Sequence, residues 1–268
     1  MSGKSMQTIT SRANAQVKNA LRLRDRAAAR RDAGLLFLEG ARLCADAAAS
    51  GLDVAALFVT EEAMAKYAAY LRGPLDRAAS VFVIMEHVAE ALSDTKTTQG
   101  IFCLCNKPAE ARPEWRAEGK YLALESIRDP GNVGTLLRTA EAFGLDCVIH
   151  CGCGDLYGPK ALRAGMGAQL RLALWHTDSL PALIIEAAAQ GVKTFAAVPD
   201  ADSLPVSGAF TGASLAAIGN EGAGLTPETL AACQRRVTIP MRGRAESLNA
   251  AAAGAVICWE LAGCRPFC

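Results

Sequence analysis

Three stretches of the chain each end a short apolar run in polar side chains set beside glycine. The first is Asp129-Pro130-Gly131-Asn132, followed by Arg138. The second runs Gly219-Asn220-Glu221-Gly222-Ala223-Gly224, and the third leads from Ile239 and Met241 to Ser247-Leu248-Asn249. Amides, a carboxylate, a hydroxyl and a guanidinium can orient a polar ligand and stabilise negative charge on oxygen. Glycine beside them lets backbone approach that ligand closely. Each stretch also has a plainer reading: Asn132 as a helix N-cap, Arg138 as a surface partner of Glu141 or Asp146, Glu221 in a solvated turn, Ser247 capping the last helix, Asn249 bonded to backbone. Three such junctions in one chain favour a shared site. Asn132 and Arg138, a turn and a half apart, are expected on one side of a helix, facing the strand ends.

Rival chemistries find less support. The second stretch lacks the Gly-Lys-Ser/Thr ending of a phosphate loop, and no Gly-x-Gly-x-x-Gly follows the first strand of either half. None of His87, His150 and His176 adjoins a Gly-x-Ser-x-Gly turn. His150-Cys151-Gly152-Cys153 groups three possible metal ligands without a fourth nearby, and Cys264 and Cys268 lie on a terminal segment, so no metal is expected. Cys103 and Cys105 alternate in an apolar run and read as small core residues.

The elements that must position these groups follow from apolar runs alternating with Ala-rich segments, an α/β pattern. In the second half, strands are expected at 120–125, 146–150, 170–175, 193–198, 214–218 and 236–239, with helices at 132–143, 159–165, 180–190, 227–233 and 247–261. Apolar strands joined by helices imply a parallel sheet with ligands at the carboxyl ends of its strands. The first half has runs at 35–39, 56–60, 81–85 and 101–105, preceded by a helix over 14–31 that Gly34 stops. That helix sets Lys18, Arg22, Arg24, Arg26, Arg30 and Arg31 against one acid, Asp25, which points to a polyanion as readily as to a solvated face. Residues 108–119, charged and Pro-containing, read as a linker between domains 1–107 and 120–268.

At 268 residues, 51% hydrophobic and 21% charged, the chain has enough apolar material for two cores and is neither disordered nor fibrous. A formal net charge of +1 confines any polyanion site to a local patch. Ten cysteines without a leader-like start suggest reduced thiols and a cytoplasmic chain. No apolar run reaches the roughly 20 residues of a bilayer span, so no membrane role is expected.

Together the three stretches resemble the motifs of the SpoU (TrmH-like) family of RNA ribose 2′-O-methyltransferases, in the SPOUT superfamily. The first motif looks like Asp129 to Gly134 through Arg138-Thr139-Ala140 to Phe143-Gly144. The second is similar to Ile218 to Gly222 with Gly224, and the third to Ile239-Pro240-Met241 with Gly243, then Ser247-Leu248-Asn249. More loosely, Ile9-Thr10-Ser11 with Asn14, Leu38-Glu39-Gly40 and Thr98-Gln99-Gly100 look like the family's amino-terminal RNA-binding domain, a small ribosomal-protein-like α/β unit.

The resemblance implies a parallel sheet whose carboxyl-terminal segment forms a deep trefoil knot, S-adenosylmethionine (AdoMet) as cofactor, and a homodimer through the C-terminal domain. It implies methylation of a ribose 2′-hydroxyl in structured RNA, rRNA before tRNA, with a catalytically idle RNA-binding or ribosome-assembly protein as the alternative. By the same resemblance Arg138 is the base or charge stabiliser, Asn132 and Glu221 position it and the ribose, and Ser247 and Asn249 orient loop and substrate. Gly219, Ile239, Met241 and Leu248 would hold the cofactor, while Lys18, Arg22, Arg26 and Arg30 are the candidate RNA contacts.

Overall fold

The computed structural model describes residues 6–200 and 202–263, so Cys264 and Cys268 lie outside the described residues. The chain forms two compact units. One runs to Ala109 and takes in Tyr157–Leu170; the other comprises Glu110–Leu156 and the chain from Arg171 onward.

The first unit contains β1 (Met6–Ile9), α1 (Ala15–Asp25), α2 (Ala27–Ala33), β2 (Leu35–Glu39), α3 (Ala41–Ala49), β3 (Val54–Val59), α4 (Glu61–Lys66), α5 (Ala68–Arg77), β4 (Ala78–Ile84), α6 (Glu86–Leu92) and β5 (Ile101–Asn106). Its mixed sheet has the order β1-β4-β3-β5-β2, with β5 antiparallel to both β2 and β3. Side chains alternate across it, apart from a register shift in β3 between Val54 and Ala56. Leu36, Leu38, Leu57, Val59, Cys103 and Cys105 enter one core with α3 and α5, whereas Phe37, Phe58, Phe102 and Leu104 enter another with α1 and α6. Cys103 and Cys105 are core residues, as their alternation suggests.

Two differences from the sequence reading have physical causes. The expected single helix over 14–31 is broken at Arg26, which is extended (φ −124°, ψ 112°). The Arg30 guanidinium turns back onto the carbonyls of Leu23 and Arg24, so it satisfies the end of α1 and fixes the bend. Strand β1 lay unrecognised in the polar start because it is a four-residue edge strand with only Ile9 buried.

The second unit begins with β6 (Lys120–Glu125), α7 (Pro130–Ala142) and β7 (Cys147–Cys151). Helix α8 (Pro159–Gly165) falls in the first unit. The chain then continues with β8 (Leu174–His176), α9 (Leu180–Ala189), β9 (Lys193–Ala197), β10 (Leu204–Pro205), β11 (Ser214–Ile218), α10 (Pro227–Ala232), β12 (Arg235–Thr238) and α11 (Ala250–Ala262). The strand expected at 170–175 is shorter and later, because residues 168–170 form a 3-10 turn whose Leu170 belongs to the first unit's core.

All neighbours in the seven-stranded sheet are parallel, in the order β10-β12-β9-β11-β6-β7-β8. From β6 the chain moves out through β7 and β8, then crosses to β9 on the other side and leaves a slot that β11 fills. This reversal is where an open parallel sheet holds ligands. After β12 the chain returns past β9 to lay α11 against α7, β11 and β6. Gly254 permits that approach, since a Cβ there would collide with the Leu136 side chain of α7.

Candidate active site

Strands β6 and β11 are neighbours with Ile218 opposite Leu124, so the loops after them leave the sheet side by side. Ser126, the first residue past β6, adopts a left-handed backbone (φ 56°), unusual for a side chain with a Cβ. Its carbonyl accepts from Asn220 Nδ2 at 2.8 Å, which joins the two loops. Asp129, not Asn132, caps α7: its Oδ1 accepts the Asn132 N–H at 2.9 Å. The expected cap role is thus taken three residues earlier, and the Asn132 side chain is released for other work.

The second loop closes on itself through paired Asn220–Gly224 backbone bonds of 2.9 and 3.0 Å, while Asn220 Oδ1 accepts the N–H groups of Gly222 and Ala223. Gly219 is obligatory for this closure, because a Cβ would overlap the Gly224 carbonyl group and the Leu225 nitrogen. Glu221 points back toward the first loop. Its Oε1 accepts Asn132 Nδ2 at 2.9 Å, and the N–H groups of Asp129 and Arg128 lie at 3.4 and 3.5 Å from its oxygens. Desolvation, the largest single influence, pushes the Glu221 carboxyl up, but Asn132 and these N–H groups together outweigh it and hold the group below the usual carboxylate range.

The third loop supplies Asn249. It caps α11, accepting from Ala251 N at 2.9 Å and Ala252 N at 3.3 Å, and its Nδ2 donates to Asn132 Oδ1 at 3.1 Å. Ser247 is therefore not the cap, and α11 starts at Ala250 rather than 247. The result is a chain Asn249–Asn132–Glu221 drawn from three loops, with Asn132 fixed at both ends.

Beside it lies a cavity of about 390 Å³ between the loops after β11 and β12 and the start of α11. Gly219, Ile239, Met241, Ser247 and Leu248 all line it, with Glu221 at its edge. Asn132, Asn249 and Arg138 are not among its walls. Arg138 stands apart from the network, exposed and with no hydrogen bond or ion pair among the described residues. The expectation that it shares a helix side with Asn132 fails on geometry: six residues at about 100° each leave the two roughly 120° apart around the helix. Neither Asn132 nor Glu221 hydrogen-bonds to it.

The candidate RNA contacts divide. Lys18, Arg22 and Arg26 are exposed. Arg30 is only 5% exposed and tied to α1 carbonyls, so it holds the helix bend instead of facing a ligand. Arg24 likewise closes the end of α6 on the carbonyls of Ala91, Leu92 and Ser93. Among the described residues no three His, Cys, Asp or Glu side chains are placed to hold a metal ion, and the Cys153 thiol donates to the Leu124 carbonyl at 3.4 Å.

The cavity and its flanking loops fall within one matched span. Residues 119–259 match the model of the SpoU rRNA Methylase family. The chain belongs to that family. Residues 14–103 match a second model, the MRM3-like substrate binding domain. Among relatives of this SpoU chain, the 23S rRNA (guanosine(2553)-2′-O)-methyltransferase RlmP of Bacillus subtilis is 30% identical over 96% of the chain and 100% of its own length. An AdoMet-bound rRNA methyltransferase of Sinorhizobium meliloti superposes with a TM-score of 0.83 at 25% identity, over 96% of this chain and 97% of that one. AviRb of Streptomyces viridochromogenes, a SpoU methyltransferase solved with AdoMet, gives 0.81 at 25% identity over 93% and 97%.

One residue of the SpoU unit escaped the sequence reading. Glu125, the last residue of β6, is 5% exposed and accepts from Thr226 N (2.8 Å), Thr226 Oγ1 (3.0 Å) and Thr229 Oγ1 (2.6 Å). It anchors the start of α10 to the central strand and so fixes the far side of the second loop. Burial, with the Glu125 charge adding to it, pushes the nearby Cys233 thiol up to about 12. An acid closing an apolar strand, answered by Thr-x-x-Thr at a helix entry, was the available signal.

Proposed function

We propose that the chain transfers a methyl group from AdoMet to a ribose 2′-hydroxyl of ribosomal RNA. The observation that carries this is a cavity lined by the loops after β11 and β12, to which the loop after β6 is tied by the Asn249–Asn132–Glu221 chain at the cavity's side. The cavity suits AdoMet in size, since small-molecule sites run from roughly 300 to 1,000 Å³. Its walls suit it in kind: Ile239, Met241 and Leu248 offer apolar surface, and Gly219, Gly222 and Gly224 offer backbone close to the ligand. Bound there, AdoMet supplies an electrophilic methyl carbon on a sulfonium.

The protein's own task is to bring a weakly nucleophilic hydroxyl into line and manage its proton. Asn132, held by Glu221 and Asn249, is a rigid amide for orienting the sugar. Arg138, with no hydrogen bond or ion pair among the described residues, is the candidate for gripping the target phosphate and stabilising negative charge on the 2′-oxygen. A guanidinium retains its proton above pH 12 or so, which favours charge stabilisation over a base role.

Within this reading, residues 1–107 bind substrate, 108–119 link, and 120–268 carry the transfer, except for Tyr157–Leu170, which packs into the first unit; Lys18, Arg22 and Arg26 lie on RNA phosphate. The return of the chain from β12 to α11 supports a trefoil knot, and the exposed Trp259 and Val256 of α11 support a homodimer through that helix. No helix among the described residues is long and apolar enough to cross a membrane; the cytoplasm, where rRNA is assembled, is the proposed place of action. The test is incubation with methyl-labelled AdoMet and separate rRNA and tRNA pools. Label in rRNA is expected; binding of AdoMet and RNA with no label in either pool would favour the idle RNA-binding alternative.

A further inference from the structure

A second cavity, of about 410 Å³, is lined by residues of the first unit. Its walls use two elements that the proposed reaction leaves without a role, Glu39-Gly40 and Gln99. Glu39 is already satisfied: it accepts from the Ser93 and Thr95 hydroxyls and from the Asp94 N–H, and so shapes the loop over 93–95. Gln99 Oε1 accepts Ala41 N at 2.8 Å, which leaves its Nε2 as a donor at the wall.

Positive charge is available there. Arg42 makes no hydrogen bond or ion pair among the described residues. Arg163 pairs with Asp94 through Nη2 at 2.8 Å, while its Nη1 is buried with no hydrogen-bond partner among the described residues. A buried guanidinium N–H left unsatisfied is costly, and an anionic oxygen from outside would satisfy it. The remaining walls are mixed: Leu43, Leu162 and an exposed Met166 are apolar, Thr95 and Thr97 are polar, and Asp46 adds one carboxylate that offsets part of the positive charge.

An apolar wall, one amide donor, threonine hydroxyls and two guanidinium groups around a volume of this size match one class of ligand, a nucleotide out of its stack. We propose that this cavity receives one unstacked nucleotide of the RNA substrate, its phosphate on Arg42 and Arg163 and its base against Leu43, Leu162 and Met166. The Gln99 amide then reads a base edge. The proposal rests on RNA being the substrate, and it gives the first unit a specificity role beyond general charge.

The test is binding of an unmodified rRNA fragment to the full chain, measured as a function of salt, for the wild type, Arg42→Ala and Gln99→Glu. The second variant keeps the acceptor for Ala41 N and replaces the donor with a charge. Each variant is expected to weaken RNA binding about tenfold, with AdoMet affinity and the rate at saturating RNA within about twofold. Arg42→Ala is expected to lower the log–log salt slope by about one, which a merely structural role would not do. Affinities and slopes equal to the wild type in both variants, or a wild type that binds no rRNA, would overturn the proposal. If binding weakens as stated but no methyl group is transferred, the pocket stands and the activity falls; if methyl transfer occurs with both variants binding normally, the reverse holds.

Discussion

Asn132 is the joint of the site, and its removal has a size that can be worked from the hydrogen bonds. Asn132→Ala deletes a donor to the Glu221 carboxylate at 2.9 Å and an acceptor of Asn249 Nδ2 at 3.1 Å. A bond to a charged acceptor contributes roughly 1.5–3 kcal/mol and a neutral one about 0.5–1.5. Glu221 is solvent-exposed, so the lower end of each range applies, and the sum is about 2 kcal/mol. If that loss is felt in the transition state, the rate falls roughly thirtyfold at about 1.4 kcal/mol per decade. Asn132 does not line the cavity, so AdoMet affinity should stay within about twofold. Single-turnover methylation at saturating AdoMet, beside calorimetric AdoMet titration, reads the two effects separately. Asn132→Asp sets two carboxylates together; it should lose more at neutral pH and recover toward acid, as the pair takes up a proton. An unimpaired rate in Asn132→Ala, or AdoMet affinity falling in step with the rate, would refute the role assigned here.

Gly219→Ala forces a Cβ onto the Gly224 and Leu225 backbone; overpacking of about 1–3 kcal/mol should weaken AdoMet binding roughly tenfold or more by calorimetry. Arg138→Ala, and largely Arg138→Lys, should lower turnover by roughly 10² or more while calorimetry shows AdoMet binding intact. Arg30→Ala should lower thermal stability by about 1.5–3 kcal/mol without altering the RNA salt slope, whereas Ala at Lys18, Arg22 or Arg26 should lower that slope by about one each and leave the melting temperature unchanged. The Glu221 carboxyl is held below its ordinary range, so its stabilisation is present above the unfolded pKa and lost as pH falls through the folded one. Urea titrations below about pH 4 should show wild-type stability declining toward that of Glu221→Gln; parallel curves would contradict this.

Much of the second unit was readable because its strands are apolar on both faces and its helices start at strong signals. Strand β11, Ser214–Ile218, is buried at every position, and α10 begins at Thr226-Pro227 as its composition suggests. That Asn132, Glu221 and Asn249 come together was legible, since three strand-loop-helix junctions each present a polar group beside glycine. The helix caps were not. Whether Asp129 or Asn132 caps α7 depends on where the backbone turns, and Ser247 lost the last cap to Asn249 for the same reason. Arg30 shows the limit of charge counting, because a guanidinium that folds back on its own chain looks identical in sequence to one facing RNA. Glu125 was hidden because its partners, Thr226 and Thr229, lie about a hundred residues away.

The central claim is that the cavity beside Asn132 delivers a methyl group to a sugar oxygen and not to a base. A 2′-O-methyl group removes the hydroxyl that cleaves the adjacent phosphodiester in alkali, so an alkaline ladder of rRNA treated with the protein and AdoMet reads the claim directly. A single new gap in the ladder, absent with Arg138→Ala, is the expected result. An unbroken ladder from rRNA that has nevertheless taken up label would mean that the methyl group went elsewhere, and would contradict it.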